Sequence, residues 1–225
     1  MKRITVLLAE DHQIVREGFR LLLKHERDLE VVGEAETGRQ AVQLTRKLRP
    51  AVVVMDLAMP LLNGLEATRQ IRKDSPDTKV LILSAHSDDA YVEQMTELGA
   101  AGFLLKQSSS DVLATAIREV QKGNTFFSPP IAKRLHDRDQ KSLDRGGQFK
   151  KKSNRLSSRE VEVLQLIAEG KPNKQVAAEL GVAFKTIDKH RQHLMAKLNI
   201  HDVAGLTRYA ISAGIIESRV QVTIV

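Results

Sequence analysis

Five short apolar runs punctuate the first 127 residues, at 4–9, 31–35, 52–55, 80–83 and 102–105. Between them apolar residues return at helical spacing, as in Ile14, Phe19, Leu22 and Leu23, then Ala41, Leu44 and Leu48. Strands that are almost continuously Val, Ile and Leu are buried on both faces, which predicts a parallel sheet covered by helices. Five such units predict a doubly wound, five-stranded α/β domain, with ligands at the carboxyl ends of its strands. From Leu156 the pattern turns wholly helical. Ser157 and Glu160 read as a capping box. Val161, Leu164, Ile167 and Ala168 follow as an apolar stripe, and Gly170 closes that helix. A short helix from Asn173 to Leu180 turns at Gly181. A third runs from about Phe184 to Leu198, and a fourth starts at the N-cap Asp202 and ends before Gly214. Two short helices around a glycine turn predict a helix-turn-helix in a four-helix, all-α unit.

The pattern thus divides the chain into a domain at 1–127, a linker at 128–155 and a helical domain at 156–225. Residues 137–152 hold almost nothing apolar to bury, and they include Gly146-Gly147 and Lys150-Lys151-Lys152. That composition predicts a mobile linker, with a short helix at its start over 131–135.

Charge sharpens this division. The formal net charge is +7, yet residues 1–127 sum to −1 and residues 128–225 to +8. A basic second half points to a polyanionic partner. Most of the excess lies in the linker, at +6, against +2 for residues 156–225. There are no cysteines. This excludes disulfides, thiolate metal sites and cysteine catalysis, and it fits the reducing cytoplasm. No apolar run approaches the roughly 18 residues of a membrane span, so no membrane partner is expected. The opening residues read as a first strand rather than a signal peptide.

The strand ends carry chemistry. Glu10 and Asp11 follow the first run, Asp56 the third, Ser84 the fourth and Lys106 the fifth. A parallel sheet brings these ends to one edge, and three carboxylates gathered there repel unless a cation joins them. Mg²⁺ suits an oxygen set with few protein ligands. A carboxylate beside Mg²⁺ and a lysine is a suitable nucleophile toward a phosphoryl group. Polar strand ends are often only caps, and for one residue that reading stands level with the functional one. Five at one edge favour a site.

These residues, with Asp56-Leu57-Ala58-Met59-Pro60, Asn63-Gly64, Ser84-Ala85 and Phe103-Leu104-Leu105-Lys106, resemble the response-regulator receiver family across 1–127. The resemblance implies a flavodoxin-like fold in which Asp56 accepts the phosphoryl group. It places Mg²⁺ on Glu10, Asp11, Asp56 and the Ala58 carbonyl. It gives Ser84 and Lys106 contacts to the phosphoryl group and makes Phe103 the switch aromatic. The plainer reading of Phe103 is a core ring. The sequence departs from the family at Gln107, where many members have proline, so no cis bond is expected. It departs again at Asn63, where aspartate is common.

In the third helix of the second domain, about 100° per residue gathers Ile187, His190, Leu194 and Leu198 on one side. Lys185, Asp188, Lys189 and Gln192 lie opposite. The first set reads as core, with His190 a packed histidine. The second can reach base edges and phosphates in a major groove, although a solvated face would look the same. Residues 156–216 resemble the LuxR-type DNA-binding domain of the NarL/FixJ subgroup. The matching positions include Leu156 to Glu160, Asn173-Lys174, Thr186-Ile187, Lys197-Leu198 and Ala213 to Ile216. This places the motif at 173–192, with Lys185, Thr186, Asp188, Lys189 and Gln192 as DNA contacts. Asp188 stands where the family often has lysine. It reads as a base reader or a guard against wrong sequences, because it cannot pair with phosphate. In the family the fourth helix dimerises the bound domains, although its stripe of Val203, Leu206, Tyr209, Ala210 and Ala213 could equally pack inward.

The combined reading is a two-component response regulator. A partner histidine kinase phosphorylates Asp56, and a homodimer then binds promoter half-sites on double-stranded DNA. The protein is not an enzyme with a separate substrate: the position two past Asp56, where aspartyl phosphohydrolases carry an acid, is Ala58, so only slow self-dephosphorylation is expected. The alternative is a DNA-binding regulator that needs no phosphorylation and uses its first domain for dimerisation or protein contacts.

Overall fold

The computed structural model describes residues 3–85, 98–129, 131–132 and 156–217. The chain forms two compact units, residues 1–151 and 152–225.

The first unit contains β1 (Ile4–Ala9), α1 (Gln13–Lys24), β2 (Leu29–Ala35), α2 (Gly38–Leu48) and β3 (Val52–Asp56). These are followed by α3 (Gly64–Asp74), β4 (Lys79–Ser84), β5 (Gly102–Leu105), α4 (Ser110–Gln121) and β6 (Phe126–Phe127). All strand pairings are parallel, in the order β2-β1-β3-β4-β5-β6. The expected sheet of five therefore has a sixth strand. Two residues are too few to show a period, so β6 left no alternation in the sequence.

Successive strand residues feed opposite faces. Leu7, Val53 and Met55 join a core under Ala41 and Val42 of α2 and Ala67 and Ile71 of α3. Val6, Leu8, Val52 and Val54 join a second core with Leu23 of α1 and Leu113, Ala116 and Ile117 of α4. Each fully buried Val, Leu or Ile contributes about 1.5–3 kcal/mol of transfer free energy, so the sheet sits between two helical layers.

One expected face shifts. Ile14 of α1 is 86% exposed, and Leu22 also faces solvent, whereas Leu23 and Arg16 are buried. Arg16 and Leu23 are seven residues apart and share a face. Apolar spacing alone did not set the rotation of this helix. The first unit's core also continues past residue 127. Ile131 is fully buried with Phe103, and Ser128 donates its N–H to the Phe103 carbonyl at 3.0 Å. The remainder of the expected linker, residue 130 and residues 133–155, lies outside the described residues.

The second unit holds α5 (Ser158–Ala168), α6 (Asn173–Leu180), α7 (Phe184–Leu198) and α8 (Val203–Ser212). The expected capping box forms: Ser157 N donates to Glu160 Oε2 at 2.7 Å, and the Ser157 hydroxyl accepts from the Glu160 N–H. Glu160 also takes Lys197 Nζ at 2.8 Å, tying α5 to α7. Burial disfavours the Glu160 charge, but Lys197 and the Ser157 bonds outweigh it and hold its pKa low. Gly181 caps α6 in the left-handed region, at φ 62°, where glycine carries no Cβ penalty. Asp202 caps α8 by accepting from the Gly205 N–H at 2.7 Å.

The stripe expected on α5 is broader in the structure. Residues 162–167 are all buried, while Val161 and Ala168 are half-buried at its ends. On α8, Leu206 and Ala210 are buried but Val203 is exposed. His190 is half-buried. No helix among the described residues is long and apolar enough to cross a membrane.

Candidate functional site

The strand order reverses direction between β1 and β3, the switch point at which open α/β sheets bind ligands. The register pairs Ala9 with Met55, so the chain leaves β1 into Glu10 and Asp11 beside Asp56, the last residue of β3. Lys106 follows β5, and its N–H is donated to the Ser84 carbonyl at 2.8 Å.

The side chains converge. Lys106 Nζ lies 2.8 Å from Glu10 Oε2 and 3.0 Å from Asp56 Oδ2. Glu10 and Asp56 are each only 2% exposed. Burial above all, then the charge of Glu10, pushes the Asp56 pKa up to about 6, against the pull of Lys106. Burial also opposes the Lys106 charge, but Asp56 and Glu10 prevail and hold its pKa above the ordinary value. Lys106 bridges these two buried oxygens by charge, and among the described residues no further hydrogen bond reaches either. Each keeps lone pairs for a cation. Ligand atoms of Glu10, Asp11, His12 and Asp56 lie within 4.8 Å of one another, so this set can hold a metal ion. Ala58 is half-buried in the loop two residues past Asp56.

Ser84 is buried at the end of β4. Phe103 pairs with Ile82 in the register and is 1% exposed. Asn63 caps α3 by accepting from the Glu66 N–H at 2.9 Å. Asparagine and aspartate cap equally well, which explains the departure at this position.

Two residues of this site were not singled out from the sequence. Buried Arg16 donates Nη1 to the Glu10 carbonyl at 2.7 Å, Nε to Glu34 at 3.1 Å and Nη2 to Glu36 at 2.8 Å. It fixes the loop that presents the acids, and its sequence signal was a guanidinium seven residues before a core leucine. His12 places Nδ1 at 2.9 Å from Asp11 Oδ1 and 3.1 Å from Glu10 Oε1.

In the second unit, Lys185, Lys189 and Gln192 are exposed on α7 and Thr186 is half-buried. Asp188 is engaged within the unit: its Oδ1 accepts from Asn173 Nδ2 at 2.6 Å, and Asn173 Oδ1 accepts from Arg191 Nη1 at 2.7 Å. This chain staples the start of α6 to α7. Arg159 donates to the Leu180 carbonyl at 3.0 Å, satisfying the end of α6.

Residues 6–118 match the response regulator receiver domain, and residues 154–210 match the luxR family of bacterial regulatory proteins. The transcriptional regulatory protein DegU of Brevibacillus brevis is 36% identical over 211 residues, 89% of each chain. A structure of the RcsB response regulator of Salmonella typhimurium superposes with a TM-score of 0.62 at 29% identity, covering 95% of this chain and 99% of its own. A structure of two RcsB dimers bound to two parallel DNAs gives a TM-score of 0.57 at 28% identity, covering 94% and 99%.

Proposed function

We propose, on the premise that this chain belongs to the response regulators that join a receiver domain to a LuxR-type DNA-binding domain, that phosphorylation of Asp56 switches its binding to promoter DNA. The observation that carries the proposal is the contact of Lys106 with both Glu10 and buried Asp56. An Asp56 oxygen attacks the phosphorus of a phosphohistidine on a partner kinase, or of a small phosphodonor. The donor's bond to phosphorus breaks, and an acyl phosphate forms on Asp56. Lys106 pairs with the phosphoryl oxygens, and the Ser84 hydroxyl donates to one of them. Mg²⁺ bound by Glu10, Asp11, Asp56 and the Ala58 carbonyl would supply positive charge that offsets the phosphoryl oxygens.

The transfer puts about −1.5 to −2 charges on a buried residue. Lys106 then turns from Glu10 toward the phosphoryl group. Ser84 follows, and repacking around Phe103 carries the change to the surface of the receiver. Two copies pair, and two α7 helices reach two half-sites in successive major grooves. The protein turns over no separate substrate: without an acid at Ala58, water removes the phosphoryl group only slowly. The cysteine-free chain suits the cytoplasm.

Sequencing of the DNA bound in cells tests the proposal. Cells with Asp56 should yield an enriched two-half-site sequence, and cells with Asp56→Asn should lose most of that enrichment. Equal enrichment in both would overturn the dependence on phosphorylation. Exposed Lys189 is assigned to the DNA face. Lys189→Ala should weaken binding to that sequence and lower the salt slope by about one if the amine meets phosphate. Unchanged binding would place the contact surface elsewhere.

A further inference from the structure

We propose that Phe184 reads a thymine methyl group in each half-site, so that one position of the half-site is selected by an apolar contact rather than by a hydrogen bond. The inference rests on the reading that α7 enters the major groove, and it adds a base-reading residue outside the polar set on that helix.

Phe184 opens α7 and is 51% exposed. It is the only exposed phenylalanine or tyrosine among the described residues. The helix geometry sets it at the edge of the polar face. At about 100° per residue, buried Ile187 and Leu194 lie about 60° and 80° to one side of it, and Asp188 and Gln192 about 40° and 80° to the other. Phe184, Asp188 and Gln192 thus form a row at four-residue spacing, with exposed Lys185 and Lys189 beyond it. The first residues of a recognition helix are those that meet base edges, and the two lysines beside the ring favour a polyanion as its cover. No polar side chain competes at the helix start: the N-cap is exposed Ala183, which makes no capping bond.

The chemistry of the ring sets the base. The major groove presents hydrogen-bond acceptors, donors and the thymine C5 methyl group. A phenyl ring neither donates nor accepts. Against a polar base edge it would strip water and return no hydrogen bond, which is unfavourable. Against the methyl group it buries apolar surface on both sides. The ring therefore selects thymine at its position and disfavours the other three bases.

Full-length protein treated with Mg²⁺ and a small phosphodonor is used to select duplexes from a random DNA library. Each thymine of the selected duplex is then replaced by deoxyuridine, which removes only the methyl group. Binding is measured for the wild type, Phe184→Ala and Phe184→Leu. Alanine and leucine are both strong helix formers, so α7 should keep its fold in either variant. One thymine in each half-site should prove sensitive, with about fourfold weaker wild-type binding per methyl group removed. Phe184→Ala should bind the thymine duplex at least that much more weakly, and should bind thymine and uracil duplexes equally. Phe184→Leu keeps an apolar contact and should stay sensitive to uracil. Neither variant should change the salt slope, because no phosphate contact is lost. The proposal is overturned if no uracil replacement weakens wild-type binding, if Phe184→Ala keeps the wild-type sensitivity, or if Phe184→Ala binds as tightly as the wild type. In any of those cases, a selected sequence whose binding depends on Lys189 would leave the reading of α7 as the DNA-facing helix standing. A wild type that binds no duplex would overturn both.

Discussion

Asp56→Asn should abolish phosphoryl uptake and, at the same time, stabilise the receiver by about 2–3 kcal/mol at pH 7. Both effects follow from one buried carboxylate. Incubated with Mg²⁺ and a small phosphodonor, the wild type should gain the mass of one phosphoryl group, stable in acid and labile in base. The asparagine amide is no nucleophile, so the variant should gain nothing. An equal gain in the variant would move the acceptor to another residue, and no gain in the wild type would sink the assignment.

The stability effect comes from the pKa. Asp56 is raised from 3.8 to about 6, chiefly by burial and then by Glu10. The folded protein therefore holds this proton more tightly than the unfolded chain does. The contribution of Asp56 to stability is fully present below about pH 4, is lost as pH rises from about 4 to 6, and stays lost above that range. Asparagine does not ionise and has nearly the same shape. The difference between variant and wild type should thus be small near pH 4, open up to about pH 6 and be constant beyond. Urea unfolding of both proteins across this range measures it. A difference independent of pH would contradict a desolvated, repelled carboxylate at this position.

Gly64→Ala should destabilise the receiver by about 3–5 kcal/mol and disable phosphorylation with it. A Cβ at residue 64 would meet the Asp56 carbonyl oxygen at 2.0 Å, its carbon at 2.9 Å and the Leu57 Cα at 3.0 Å. All three are backbone atoms, so no side chain can swing away. The same close approach lets the Gly64 N–H reach the Leu57 carbonyl at 2.8 Å, locking the loop between Asp56 and α3. The added methyl group must push either the acceptor strand or the helix, and either shift carries Asp56 away from Lys106. A shifted urea midpoint together with loss of the phosphoryl mass gain is the expected result. A variant that unfolds within about 1 kcal/mol of the wild type would show that the loop yields easily.

The sequence determined the main architecture by itself. Strands covered on both faces must be apolar at nearly every position, so β1, β3, β4 and β5 stand out as runs of Val, Ile and Leu, and their parallel order follows from the helices between them. Once the strands are parallel, Glu10, Asp11, Asp56, Ser84 and Lys106 fall at one edge without knowledge of any distance. The helix-turn-helix was equally legible, because Ser157, Glu160, Gly181 and Asp202 act locally at helix ends.

Only the tertiary structure decided matters that depend on distant partners. It set the rotation of α1, which buries Arg16 and exposes Ile14, because Glu34 and Glu36 on the neighbouring segment satisfy the guanidinium. It added β6 and buried Ile131, where a short segment gains its stability from β5 and the core rather than from its own pattern. It joined Asn173 to Asp188 and Arg191, a pairing between two helices that no periodicity encodes. It turned His12 toward Glu10 and Asp11. Local chemistry is written residue by residue along the chain, whereas a long-range contact exists only once folding has brought its two halves together.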